Sequence, residues 1–303
     1  MQSIRHEPVN ADGPAIANLP DTDSQHPAAM VELAIPVAGT QMNGHIYLAA
    51  GEGPHPTVIL LHGYPGNERG LDLAQFLRRD GMNVLFFHYR GAWGSGGLFS
   101  WKNSVEDVLA AIRFLRSSSA RAGYRVDPER IVLAGHSLGA WLSIYVAASE
   151  PGVCAAVAMG LENMGADAKL YKTDTQERVA WLKYLQATVG EGRPIRAKSA
   201  EFLLEELLEH ADQFDLLAQI DALRDRPVLM VGATHDWELP VEEHQHPLAA
   251  ALLEAGSSSV DDVVLEADHS FSSCRIELCS IVLDWLKRHV MPVGRHTVAQ
   301  GCS

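Results

Sequence analysis

The chain has no apolar run of about 18 residues, the least a membrane-spanning helix needs, so no membrane span is expected. Its first 30 residues lack the apolar stretch of a secretory signal. They are rich in Pro, Asp, Asn and Ala, and 1–30 reads as a flexible arm. Cysteine is scarce: Cys154, Cys274, Cys279 and Cys302 show neither a metal-ligand spacing nor a disulfide framework. Free thiols in a reducing cytoplasm are therefore expected, with no metal. Basic residues are also few, 24 Lys and Arg against 38 Asp and Glu, a net charge of −14. So negative a surface repels phosphate backbones, which excludes nucleic acid as an expected partner. No internal repeat is visible.

What is abundant is apolar sequence, 47% of 303 residues, enough for one large core. Short β-branched runs alternate with longer helical patterns, which predicts an α/β fold with a mostly parallel sheet and helices on both faces. Val31–Val37 and Gly44–Ala49 read as an antiparallel lead-in pair. Buried strands are expected at Thr57–His62, Asn83–His88, Arg130–Ala134, Val153–Met159, Val228–Gly232 and Asp262–Leu265. Helices are expected near Arg69–Asp80, Val105–Ser117, Leu138–Ala148 and Cys274–Val290. About 70 residues separate Met159 from Val228, far more than a simple crossover needs. Helical patterns at Thr175–Thr188 and Lys198–His210 make 161–225 a helical cap inserted into a core of 31–160 and 226–291, followed by a tail at 292–303.

Gly135-His136-Ser137-Leu138-Gly139 fits G-x-S-x-G, directly after one apolar strand and directly before a helix. A serine on such a sharp turn is pushed above the sheet, where its Oγ can act as a nucleophile. Flanking glycines are needed because strand and helix backbones approach too closely for a Cβ. The helix N-terminus favours negative charge developing nearby.

With these residues the chain, over roughly Val31 to Val290, resembles an α/β-hydrolase. GTQMNGHIYLAA before the first buried strand, HGYPG after it and HYRGAWGSGG after the next resemble the dienelactone-hydrolase and prolyl-oligopeptidase-like branch of esterases and peptidases. The resemblance implies an eight-stranded, mostly parallel sheet and a nucleophile, acid and histidine in that chain order. His269 follows the last strand, and imidazole has a pKa near working pH, so it is the expected general base. Asp236 follows the strand Val228–Gly232 and is the expected acid that holds the imidazole tautomer. Glu162, after the strand ending at Met159, and Glu238 compete for that role; Asp268 adjoins the histidine and pairs with it awkwardly.

The backbone N–H groups of Leu138 and Tyr64 are the expected oxyanion donors, since Pro65 has none. The resemblance adds the Tyr64 hydroxyl as a further donor. His62 and His136 are expected to support loops. His244 and His246, two apart on an expected helix, face different sides, which argues against a metal pair. Trp93, with Phe99 and Trp101, either lines a pocket mouth or packs its loop onto the body. Arg90 is expected to anchor that loop through a buried carboxylate. Tyr171, Trp181 and Tyr184 lie on the cap; the last two share a helix face and, like Trp93 and Trp237, are candidates to line a substrate pocket, with packing against the body the favoured role. Glu201 to Glu206 reads as a solvated amphipathic face, and Trp237 as a shield beside the acid.

The leading expectation is a serine hydrolase that cleaves small carboxylic esters through an acyl-enzyme, with no cofactor. A peptidase or amidase is the alternative, but about 30 disordered residues cannot supply the large extra domain usual in prolyl-oligopeptidase-type peptidases. An acyltransferase, a carbon–carbon hydrolase or a non-catalytic binding protein on the same scaffold rank below. Serine at 137 speaks against the carboxylate-nucleophile dehalogenases and epoxide hydrolases.

Overall fold

Every strand expected from the sequence forms, and all lie in one sheet. The computed structural model describes residues 23–291; the outer part of the expected arm, the tail and Cys302 lie outside them. The chain begins with strands β1 (Ala29–Val37), β2 (Thr40–Leu48) and β3 (His55–Leu61), then helix α1 (Leu71–Arg79) and β4 (Asn83–Phe87). Helices α2 (Trp101–Arg116) and α3 (Ser118–Tyr124) lead to β5 (Val126–His136), α4 (Leu138–Ser149) and β6 (Val153–Met159). Four helices follow: α5 (Met164–Thr173), α6 (Thr175–Thr188), α7 (Ala200–Glu209) and the short α8 (Ile220–Leu223). The chain then returns through β7 (Val228–Ala233), α9 (Gln245–Glu254), β8 (Val260–Leu265) and α10 (Arg275–His289).

The strand order is β1-β2-β4-β3-β5-β6-β7-β8. β1 with β2 and β2 with β4 are antiparallel; every other pair is parallel. The β1–β2 hairpin turns through Ala38 and Gly39, both at positive φ (44° and 75°), which suits the right-handed twist of the flanking strands. Alternate residues of the central strands feed two cores, one on each face. Ile59, Leu85, Leu133 and Ala156 pack towards α2 and α4. Val58, Val84, Val132 and Val157 pack towards α1 and α10. All of β3, β4 and β7 is buried, which is why these strands read as continuous apolar runs.

The helical insertion between β6 and β7 is tied to the body by buried side chains. Asp174 caps α6, accepting from Gln176 and Glu177 N–H, and Ser199 caps α7. Trp141 of α4 is fully buried and donates to Phe214 O at 2.9 Å. Trp101, at the start of α2, donates its indole N–H to Leu203 O at 2.7 Å. The expected solvated face of α7 needs correcting at Glu206. That side chain is buried and accepts the Trp101 backbone N–H at 2.7 Å, so it satisfies an orphan donor and opposes the positive end of α2.

Candidate active site

β5 runs straight into α4 at Ser137, whose φ of 56° and ψ of −121° are strained for a residue with a Cβ, at a cost of about 1–3 kcal/mol. Backbone bonds hold the turn: Ala140 and Trp141 N–H both donate to Ser137 O, and Ser137 N–H donates to Met159 O at 3.0 Å. A Cβ at Gly135 would stand 1.9 Å from Gly139 O, and one at Gly139 would stand 2.1 Å from Leu61 O. Both glycines of the motif are thus fixed by backbone contact.

The loops after β7 and β8 are bonded to each other, Thr234 N–H to Leu265 O and His235 N–H to Ala267 O. That pairing brings Asp236 against His269: the imidazole Nδ1–H donates to Asp236 Oδ2 at 2.6 Å. Asp236 is buried, and its other oxygen accepts the N–H groups of Glu238 and Leu239 at 3.1 and 2.9 Å. The competitors are placed elsewhere. Asp268 accepts from Ser272 N–H at 2.8 Å, Glu238 is exposed, and Glu162 makes no hydrogen bond to the histidine. Burial favours neutral His269, but the hydrogen bond and charge of Asp236, with Glu238 and Asp268, outweigh it and hold its pKa above 6.5.

His269 and His136 meet the same glycine. A Cβ at Gly160, at φ 57° just past β6, would lie 3.3 Å from His269 Nδ1. No hydrogen bond joins the Ser137 hydroxyl to the imidazole among the described residues. His136, next to the serine, donates from Nε2 to His269 O at 2.7 Å, with the two rings 4.6 Å apart. Burial lowers the His136 pKa to about 4, so it is the neutral support expected. His62 supports the neighbouring loop, bonded through Nδ1 to Gly63 O and through Nε2 to His88. Gly160 was missed in the sequence; a glycine immediately after a buried strand was the available signal.

The loop after β3 lies over the serine, where a Cβ at Gly63 would be 3.4 Å from Ser137 Oγ. The N–H groups of Tyr64 and Leu138 find no acceptor among the described residues. The Tyr64 hydroxyl is engaged. Thr188 Oγ1 donates towards the Tyr184 and Leu185 carbonyls, so it accepts the Tyr64 O–H at 2.6 Å. Here the phenolic proton goes to the insertion.

Arg90 anchors its loop as expected, bonding buried Asp107, Glu106 and Asn103 O. Trp93 packs its loop: its indole N–H donates to Pro65 O at 2.7 Å, and Arg69 lies over its ring. Trp237 is corrected: it is 85% exposed and shields nothing. Trp181 and Tyr184 stack at 5.3 Å, and Tyr171 stacks on Trp181 at 6.1 Å. His244 immediately precedes α9 rather than lying within it; it is buried, accepting Asn163 N–H through Nδ1. Among the described residues no three His, Cys, Asp or Glu are placed to hold a metal ion.

The family model described as the alpha/beta hydrolase family matches residues 58–275. An uncharacterised protein of Mycobacterium tuberculosis is 30% identical over 46% of this chain and 48% of its own length. Esterase EstD of Thermotoga maritima is 31% identical over 41% of this chain and 31% of its own. The matched segment thus spans about half, or less, of these relatives. Among solved structures, Est1E from Butyrivibrio proteoclasticus aligns with a TM-score of 0.61 at 14% identity, covering 86% of this chain and 99% of that one. The esterase domain of a Rhodothermus marinus protein aligns at 0.59 and 23% identity, covering 87% and 99%. At these identities the structural likeness is one of fold.

Proposed function

The chain belongs to the alpha/beta hydrolase family, and from that premise we propose that it is a serine hydrolase cleaving small carboxylic esters. Ser137 is the nucleophile, His269 the general base and Asp236 the acid that orients it. Ser137 Oγ attacks the ester carbonyl while His269 Nε2 takes its proton. The tetrahedral oxyanion is met by the N–H groups of Leu138 and Tyr64. The C–O bond to the alcohol then breaks, the alcohol leaves with the proton from His269, and an acyl-enzyme remains. Water, activated by the same imidazole, releases the carboxylic acid and restores the serine.

The observation that carries this reading is the 2.6 Å bond from His269 Nδ1 to buried Asp236. It fixes the tautomer and leaves Nε2 free to accept a proton. The strained elbow at Ser137 supports it independently. The test is labelling with a fluorophosphonate, followed by turnover of nitrophenyl acyl esters and aminoacyl nitroanilides. The expected result is label on Ser137, ester turnover well above anilide turnover, and a loss of about 10⁴-fold or more in Ser137→Ala. Unlabelled, folded protein would overturn the reading, and efficient anilide with negligible ester turnover would favour a peptidase.

A further inference from the structure

Successive carbonyls of the loop after β3 are each held by a different side chain. His62 Nδ1 bonds Gly63 O at 2.7 Å, and the Tyr184 hydroxyl donates to Tyr64 O at 3.4 Å. The Trp93 indole N–H donates to Pro65 O at 2.7 Å, and Arg69 Nε to Gly66 O at 3.4 Å. The Tyr64 N–H, within this run, is left without an acceptor among the described residues. Gly63 itself lies on the serine: a Cβ there would be 3.0 Å from Ser137 Cβ. The Gly63–Tyr64 peptide is trans and planar, so its C=O and N–H point in opposite directions. Holding Gly63 O against the His62 ring therefore turns the Tyr64 N–H away from that ring.

The hold depends on which nitrogen of His62 carries the proton. A carbonyl oxygen only accepts, so Nδ1 is the protonated nitrogen and Nε2 is bare. His88 completes the assignment: its Nδ1 lies 3.2 Å from His62 Nε2 and is the donor to it. Packing keeps both rings in place. His62 is buried, with the rings of Tyr89 at 4.4 Å and Phe86 at 5.9 Å. The His88 ring lies 5.0 Å from Phe86, its N–H donates to Asn43 O and its carbonyl accepts from Ser95 Oγ. Burial, with the Arg69 charge, lowers His62 to about 4; burial, with His62, Arg69 and His45, lowers His88 to about 3, so both rings are neutral. In a neutral imidazole the bond made at one nitrogen selects the state of the other. Moving the His62 proton to Nε2 would set a bare Nδ1 against Gly63 O, lone pair against lone pair, and release the peptide.

We propose that His62 is a positioning residue for the oxyanion: its Nδ1–H holds Gly63 O so that the Tyr64 N–H is aimed at the developing negative charge, and His88 locks the tautomer that makes this possible. The inference rests on the ester-hydrolase reading and adds two residues to it. An oxyanion donor acts by being aimed before charge develops, so a donor free to swing is lost from kcat rather than from substrate binding. Packing alone is the competing role, in which the two imidazoles fill the space under the loop. Asparagine and leucine at 62 separate the roles. The asparagine amide nitrogen stands where histidine has Nδ1, whereas leucine fills similar space with no donor.

Proton–nitrogen correlation spectra of the imidazoles read the tautomer without turnover, with the His62 signals identified by their loss in His62→Asn. The expected result in the wild type is His62 protonated at Nδ1 and bare at Nε2; a proton on Nε2 instead overturns the proposal. Kinetics on a nitrophenyl acyl ester are the second arm. His62→Leu should lower kcat by about 10²-fold with KM within about threefold of the wild type, and His62→Asn should recover about tenfold of that loss. His88→Leu should lower kcat by roughly tenfold, the worth of one hydrogen bond. A His62→Leu loss that appears in KM with kcat retained, or His62→Asn no better than His62→Leu, overturns the proposal. Should His62→Leu not fold, the wild-type spectrum and His88→Leu decide, and an unchanged kcat in His88→Leu counts against the lock. A wild type that takes no fluorophosphonate and hydrolyses no ester sinks the functional reading and the positioning role together; a labelled, active wild type whose variants match it sinks the positioning role alone.

Discussion

At His269, burial and charge oppose each other directly. Burial alone would keep the imidazole neutral; Asp236 and its acidic neighbours reverse this and raise its pKa above 6.5. A general base must be neutral, so kcat/KM should rise with pH through a midpoint above 6.5. Asp236→Asn removes the anion but leaves the burial. Its midpoint should fall below that of the wild type, and kcat/KM on the alkaline plateau should drop by roughly 10³-fold or more. A pH–rate profile decides this, and an unmoved midpoint would mean that Asp236 does not set the charge of the base. The strand-end positions of Ser137, Asp236 and His269 were legible because parallel strands deliver their ends to one edge. The choice between Asp236 and Glu162 was not legible in the same way. It depends on β7 lying beside β8 in the sheet, so that the two loops bond to each other. Trp237 failed as an expected shield because neighbours in sequence point apart, and its ring leaves the acid for solvent.

Between β5 and α4, geometry leaves no room for a methyl group. Gly135→Ala and Gly139→Ala each press a Cβ onto a backbone oxygen that cannot swing aside. Each should destabilise by about 3 kcal/mol or more, read as a lower urea midpoint. Gly123 in α3 is the control: a Cβ there meets nothing within 4 Å, so Gly123→Ala should stabilise by about 0.5–1 kcal/mol. Glu206→Ala strips the acceptor from the buried Trp101 N–H and should cost about 2 kcal/mol, with Glu206→Gln costing less. Buried strands and the larger helices α1, α2, α4, α6, α7 and α10 were legible because apolar periodicity is a local signal. α5 was not, because Gly165 and Asp167 are poor helix formers. Tertiary contact overrides that weakness: Gly165 lets α5 pack so closely that a Cβ would sit 2.2 Å from Asp215 N. Glu206 was illegible for the same reason, since its partner lies in α2, far away in the chain.

Across the whole molecule, the insertion and the body meet at the loop over Ser137, where Tyr64 bonds both Thr188 and Tyr184. Tyr64 follows β3 on the body and belongs to the loop above Ser137; its hydroxyl proton goes to Thr188 at the end of α6. Two roles for that hydroxyl predict different kinetics. An oxyanion donor, once removed, would cost about 10²–10³ in kcat. A tie between loop and insertion, once removed, would cost about 1 kcal/mol of stability and loosen the insertion over the loop above Ser137. With Thr188 holding the proton, Tyr64→Phe should lower kcat by less than about tenfold, raise KM, and leave labelling of Ser137 intact. Thr188→Val should reproduce the KM effect, since it breaks the same bond from the other end. A kcat loss of about 10²-fold or more in Tyr64→Phe, absent from Thr188→Val, would show instead that the phenol turns to the oxyanion once substrate is bound. The backbone N–H of Tyr64 survives in both variants, so the pair isolates the hydroxyl.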